Sequence, residues 1–305
     1  MKLNRGSEKE SVYTMPKIKI DTDKCVRCGD CVRVCPASVL VRTDATETPN
    51  AAQPELCISC GHCLAICPAD AVTHESFSDG SVTPVDMTLV PSYAQTLELL
   101  RSRRSVRLFT DAPVSREDVG RVLEAARLAP TAHNLQEVRY VVAQDKTLLA
   151  AIAKTTAAYF TGLAKQLRNP VARGLYRLAL TRSEIDSATH MLPDFDYVAR
   201  EFNAGRDPIL HNAPCVIIAH SRRSVNFPEA NASIALHNAA LAAHAMGLGG
   251  FMLGYVTGAC KRDLTIPRLL GIPSSHEVYA GLALGHPANN FTKWIRRKPL
   301  EVRWQ

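Results

Sequence analysis

Aromatic residues make up only 6% of the chain, and none falls within its two densest basic runs, residues 101–107 (RSRRSVR) and 296–298 (RRK). Basic runs without stacking partners do not point to a nucleic-acid surface and favour a compact anion over a polymer. No Gly-x-Gly-x-x-Gly follows a strand-like run, and Gly247-Leu-Gly249-Gly250 lies where a helix is expected to end, so a dinucleotide fold is not expected. Residues 1–16 are polar, carry both charge signs and lack an apolar core, which gives no secretory leader and no reason to expect a disulfide framework. Residues 239–259 contain no Lys, Arg, Asp or Glu, yet five glycines and His244 interrupt them. They read as a buried helix running into a buried strand, and no membrane partner is expected. No acid–base pair stands out, and no side chain is assigned a catalytic role.

What the chain does have is cysteine, placed by rule. Cys25, Cys28, Cys31 and Cys35 precede Pro36; Cys57, Cys60, Cys63 and Cys67 precede Pro68; only Cys215 and Cys260 fall outside the pattern. The two copies lie 32 residues apart, and CVRCGDCVRVCPASVL aligns on CISCGHCLAICPADAV with Gly29 on Gly61, an internal duplication. Thiolates spaced in this way converge on an iron–sulfur cube, while the last cysteine of each run reaches the neighbouring cube. Cys25, Cys28, Cys31 and Cys67 are therefore expected to hold one [4Fe–4S] cluster, and Cys57, Cys60, Cys63 and Cys35 the other. Zinc uses four ligands in paired spacing and has no need of the repeated third cysteine with its trailing proline. Cys215 and Cys260 sit in apolar runs and read as core thiols.

Charge divides the chain at the same place. Residues 17–90 carry six Lys/Arg against ten Asp/Glu, net −4, and residues 91–305 carry 27 against 17, net +10. We expect an N-terminal tail at 1–16, a cluster domain at 17–77, a linker at 78–92 rich in Ser, Thr, Asp, Gly and Pro, and a larger domain at 93–305.

Within the larger domain the pattern predicts helices at 93–101 and from Ser115 to the stop at Pro130, a strand at 137–143, and Ala-rich helices over 147–203 broken at Pro170 and Pro193. Strands are predicted at 214–219, 250–256 and 278–284, with helices at 231–246 and 263–270. The fold class is α+β: a two-cluster ferredoxin-like domain, then a central mixed sheet flanked by helices.

Residues 17–77 resemble a bacterial two-cluster ferredoxin. Residues 93–305 resemble the nitroreductase family of FMN-dependent homodimers. That resemblance rests on Arg103-Arg-Ser-Val-Arg107-Leu-Phe109, on Pro130-Thr-Ala-His-Asn134-Leu-Gln136, on Asn238 with the Gly-Leu-Gly stretch and Leu253-Gly254, and on Arg297-Lys-Pro-Leu300. It implies FMN, a homodimer and a site shared between subunits. The chemistry agrees: Arg103, Arg104, Arg107 and the Ser105 hydroxyl suit a phosphate dianion, with Arg297 adding a further guanidinium. Asn134, beside Pro130 and Thr131, is the candidate for the polar edge of the flavin ring, and the backbone at Leu253 and Gly254 approaches it closely. Glu137-Val138 stands where many members have Pro-Trp, so the pocket wall there is expected to differ. His133 occupies the variable position and is expected to be exposed or packed.

Clusters carry one electron at a time, whereas many organic reductions need two, and a flavin bridges the two. The expected protein is a cytoplasmic oxidoreductase. It draws on an external ferredoxin-like donor and reduces a small nitro-, quinone- or enone-type molecule. Reductive dehalogenation or other flavin chemistry is the alternative enzyme reading, and a redox sensor or electron-transfer subunit the alternative without turnover.

Overall fold

The computed structural model describes residues 16–78, 80–176 and 181–305, so the predicted tail at 1–16 lies outside the described residues apart from Pro16. The chain forms two units. One comprises the described residues up to Val90 together with His133–Leu135, and the other comprises Pro91–Ala132 and Gln136–Gln305.

The first unit is built from short pieces: β1 (Ile18–Ile20), α1 (Asp30–Arg33), β2 (Leu40–Val41), β3 (Asn50–Ala51), α2 (His62–Ala65) and β4 (Val72–His74). β1 pairs antiparallel with β4, Ile18 opposite His74 and Ile20 opposite Val72, and β2 pairs antiparallel with β3. The duplication is visible in the backbone. Arg27 and Ser59, Gly29 and Gly61, and Ser38 and Asp70 all have positive φ, each pair 32 positions apart. Gly29 and Gly61 cap α1 and α2 at φ 76° and 74°, a conformation that costs a residue with a Cβ about 1–2 kcal/mol. At Gly61 a Cβ would also stand 3.1 Å from the Phe77 ring.

The second unit contains α3 (Tyr93–Ser102), α4 (Arg116–Arg127), β5 (Arg139–Ala143), α5 (Lys146–Arg168), α6 (Pro170–Tyr176), α7 (Arg182–His190), α8 (Leu192–Asn203), β6 (Cys215–Arg222), α9 (Pro228–Ala245), β7 (Gly249–Met252), α10 (Gly254–Cys260), α11 (Thr265–Leu269) and β8 (His276–Gly285). Helix starts follow local chemistry. Ser92, Ser115, Asp145 and Thr181 each accept the backbone N–H three residues on, which satisfies an orphan donor of the first turn.

The four strands form an antiparallel sheet in the order β5-β6-β8-β7, and a parallel bridge from Ser105 to Gly250 adds a further row beside β7. Side-chain alternation on β6 divides the core in two. Val216 and Ile218 join Phe160, Val198, Val256 and Ile266 on one face, under α5, α8, α10 and α11. Cys215, Ile217 and Ala219 join Val122, Ala235, Leu236 and Ala239 on the other, under α4 and α9. Both core thiols are enclosed, and burial pushes each up to about 12. Among the described residues no helix is long and apolar enough to cross a membrane.

Two predicted elements change. The strand predicted at 250–256 ends at Met252, and α10 begins at Gly254. The Leu253 N–H still bonds the Gly281 carbonyl at 2.8 Å, while the Leu253 carbonyl accepts from both the Thr257 amide and hydroxyl, which starts the helix. Val256, Ala259 and Cys260 then bury with helical spacing. The strand predicted at 137–143 begins only at Arg139: the backbone is left-handed at Gln136, and the Glu137 side chain accepts from Asn231 Nδ2 at 2.8 Å.

Candidate functional site

In the first unit the eight repeated cysteines surround two cavities. One is lined by Cys25, Cys28, Cys31 and Cys67, the other by Cys35, Cys57, Cys60 and Cys63, so each set takes its fourth sulfur from the other run. Among the described residues no group of three or more His, Cys, Asp or Glu closes on a single ion. The sulfurs instead encircle a space between them, the disposition that fits a cube of iron and sulfide. Backbone amides reinforce the sets in matching fashion: Val39 N–H donates to Cys35 Sγ and Ala71 N–H to Cys67 Sγ, both at 3.3 Å. Burial and neighbouring sulfurs raise the Cys31 and Cys57 thiols, and push Cys63 up to about 11. Without iron these thiols hold their protons, and cluster assembly must displace them.

His74 also belongs to this unit, at a position that no motif in the sequence marks. It is 4% exposed, its Nε2 lies 3.3 Å from Cys57 Sγ, and its Nδ1 accepts the Ser76 N–H at 3.1 Å. Burial draws the ring below the ordinary imidazole value, with Glu75 opposing.

In the second unit a cavity of about 510 Å³ is lined by Arg107, Phe160, His211, Phe251, Leu253, Gly254 and Tyr255 among others. The Arg107 guanidinium lies 5.3 Å over the Phe251 ring, and His211 meets the same ring edge-on at 5.2 Å. Burial, then the Arg107 charge, lower His211, and Asp207 opposes them. Arg107, Leu253 and Gly254 are thus brought together. A Cβ built on Gly254 would meet nothing within 4 Å, so the cavity is open at that point.

Arg103 follows the end of α3 and is half-buried; Arg104 donates to the Lys293 carbonyl at 3.1 Å; Ser105 bridges to Gly250, and the Val106 N–H bonds the Gly250 carbonyl at 3.0 Å. At Gly250 a Cβ would stand 2.3 Å from the Ala283 carbonyl oxygen, so only glycine permits the close approach of β7 to β8 there. Arg297 lies in the exposed run after β8. The cavity size, the Arg107 guanidinium in its lining and the open backbone at Gly254 fit a phosphorylated planar cofactor.

The remaining flavin candidates lie elsewhere. Pro130 is exposed, and Thr131 lines a separate cavity of about 350 Å³ with Leu123, Gln136, Tyr140 and Ala235. Asn134 groups with the first unit, where its Nδ2 donates to the Ser59 carbonyl at 2.8 Å and the Ile58 carbonyl at 3.3 Å. His133, Asn134 and Gln136 are all left-handed, and His133 is exposed. Buried Asn231 shapes this loop by accepting from the Ala132 N–H and donating to Glu137 and the Asn226 carbonyl. No sequence signal singled out Asn231 or His211, because their partners are 94 and 40 residues away in the chain.

The geometry agrees with similarity to known proteins. Residues 100–286 match the nitroreductase family and residues 17–72 match the 4Fe-4S dicluster domain. An FMN reductase [NAD(P)H] of Bacillus subtilis is 28% identical over 65% of this chain and 68% of its own length. An NADH dehydrogenase of Thermus thermophilus is 30% identical over 72% of this chain and all of its own. A nitroreductase crystallised with FMN from Desulfitobacterium hafniense shares the fold, with a TM-score of 0.50 and 22% identity over 68% of this chain and 98% of that one. Cavity, sheet and family match lead to one assignment: residues 100–286 make this chain a member of the nitroreductase family, and a 4Fe-4S dicluster domain precedes them.

Proposed function

We propose that this protein is an FMN-dependent oxidoreductase fed by single electrons through two [4Fe–4S] clusters, with residues 17–77 as the input domain and 93–305 as the flavin domain. The observation that carries the reading is the crossed arrangement of eight sulfurs in two sets of four, in the same chain as a cavity that Arg107 lines. FMN, when bound, converts one-electron input into two-electron reduction of an organic molecule.

The protein's own groups supply binding and orientation. Arg103, Arg104, Arg107 and Ser105 hold the phosphate, with Arg297 from the C-terminal run, through charge-assisted hydrogen bonds that place the ring as well as bind it. The backbone at Leu253 and Gly254 meets the ring edge, and Phe251 with Phe160 walls the cavity against water. Pro130, Thr131 and Asn134 serve the site of a second copy in a homodimer, a reading supported by Thr131 lining a different cavity from Arg107. The substrate is a small nitro-, quinone- or enone-type molecule, and the setting a reducing cytoplasm in which thiolate-bound clusters persist.

The donor is a low-potential one-electron carrier such as ferredoxin, because a hydride donor needs no clusters to reach a flavin. The relatives named for NAD(P)H supply the competing donor. Anaerobic purification is expected to yield about eight irons and one FMN per chain. Turnover with reduced ferredoxin is expected to exceed turnover with NADH. Zinc in place of iron, or no flavin, overturns the reading, and equal rates with NADH overturn the choice of donor.

A further inference from the structure

The duplication that created the two cysteine runs did not leave the two clusters in equal surroundings. Seventeen residues after Cys57 stands His74, and seventeen after Cys25, at the equivalent place in the first copy, stands Arg42. Arg42 turns its Nη1 to the carbonyls of Arg27 (2.9 Å) and Ala45 (3.4 Å), and its guanidinium covers Gly29. His74 turns its Nε2 to a sulfur.

The direction of that contact follows from the other nitrogen. The Ser76 N–H has only a proton to offer, so Nδ1 is the acceptor, and a neutral imidazole then carries its proton on Nε2. A cluster-bound thiolate has no proton of its own, so Nε2–H donates and Cys57 Sγ accepts. The ring is fixed for this task by its place on β4 opposite Ile18 and by Phe77, edge-on at 5.2 Å. Backbone donors recur across the repeat, Val39 N on Cys35 with Ala71 N on Cys67, and the His74 Nε2 contact on Cys57 is a side-chain bond that Arg42, turned to carbonyls, does not reproduce in the first copy.

We propose that His74 is a positioning residue of the cluster held by Cys35, Cys57, Cys60 and Cys63, and that its Nε2–H···Sγ bond sets this cluster at a higher reduction potential than its twin. Reduction adds one negative charge to the iron–sulfur core and its sulfurs, and a donor aimed at a sulfur stabilises the reduced form more than the oxidised one. The electron enters the cluster and the proton stays on Nε2. At equilibrium a single electron then resides on the His74 side. This role rests on the cluster reading given above.

The test is a potentiometric titration of full-length protein loaded with both clusters, followed by electron paramagnetic resonance. Hydrogen bonds strengthen as the acceptor gains charge, so His74→Leu is expected to lower the reduced-to-oxidised ratio of one cluster, at fixed potential, on the order of tenfold. For a one-electron couple that is about 59 mV. The other cluster stays where it was, and His74→Gln, which keeps an amide N–H at the Nε2 position, recovers much of the shift. Pulsed measurements on reduced wild type labelled with ¹⁵N-histidine are expected to show a nitrogen coupling on one cluster signal that disappears in His74→Gln.

No shift in His74→Leu with iron content retained, or an equal shift of both clusters, overturns the role. If His74→Leu loses iron, the labelled wild type decides, and absence of a coupling that His74→Gln removes is again fatal. Wild type without iron and sulfide fails the cluster reading itself, whereas wild type with both clusters and no asymmetry fails only this role.

Discussion

The first unit encloses five hydrophobic residues, Cys31, Val39, Leu40, Ala71 and Val72, and one of the five is a cluster cysteine; the second encloses a layer on each side of a sheet, with Ile217, Ile218, Leu236, Leu282 and Leu284 fully buried. A unit as small as the first, with strands of two or three residues, exposes too much of its surface to fold on apolar burial alone. Its sulfurs take the place of a core, so assembly of the clusters and folding are one event. The second unit has no such dependence. Its order comes from ordinary packing, which leaves its cavity free to be shaped by ligand needs.

The largest effect that separates the two is removal of iron. Anaerobic chelation is expected to abolish amide protection across residues 16–78, a loss on the order of 10 kcal/mol by analogy with small metal-dependent domains, and to leave β6 and β8 protected. Hydrogen exchange read by mass spectrometry would break the comparison if the first unit stayed protected without metal. A second, smaller effect belongs to the sheet. Ile217→Ala is expected to cost about 4 kcal/mol in the second unit, near the upper part of the range for such truncations because the residue is wholly enclosed, and to leave the cluster absorbance unchanged. Denaturant unfolding with both signals followed would show whether the units are as separate as their cores suggest.

The smallest effect is an acid sensitivity in that same sheet. Burial, then His276 and Arg139, pull His220 down to about 4, and its Nδ1 lies 3.0 Å from that of His276. The unfolded chain protonates this ring near about 6.5, so between roughly pH 6.5 and 4 it binds more protons than the folded chain. Stability is therefore complete above about 6.5 and falls as pH drops, by about 3 kcal/mol at most. Hydrogen exchange of β6 and β8 at several pH values should show the decline, and His220→Gln should flatten it. A flat profile in the unaltered protein would locate the acid response outside this sheet.

Much of the organisation was legible because it is local. Cysteine spacing carries the crossed ligand sets, proline and Ser/Thr/Asp positions carry the helix limits, and the apolar run at 214–219 carries the central strand. What escaped depends on partners remote in the chain. β7 stops at Met252 because the Leu253 carbonyl turns to Thr257, and residues 250–256 alone look equally apolar in either state. The clamp of Asn231 on Ala132 and Glu137 joins segments almost a hundred residues apart. His74 was within reach of the sequence, since it occupies the repeat position of Arg42, but nothing in the repeat says that one side chain faces a sulfur and the other a carbonyl.

The row that Ser105 and Val106 lay along β7 has a consequence for the molecule in company. β7 is an edge strand of sequence Gly-Gly-Phe-Met, uncharged and short of side chains, and a bare edge of that kind recruits strands from other molecules. The Val106 amide and the Gly250 carbonyl close that edge, and Val106 packs so tightly on Gly249 that a Cβ there would stand 2.7 Å from it. The segment assigned to phosphate binding thereby also guards the protein against self-association through its sheet.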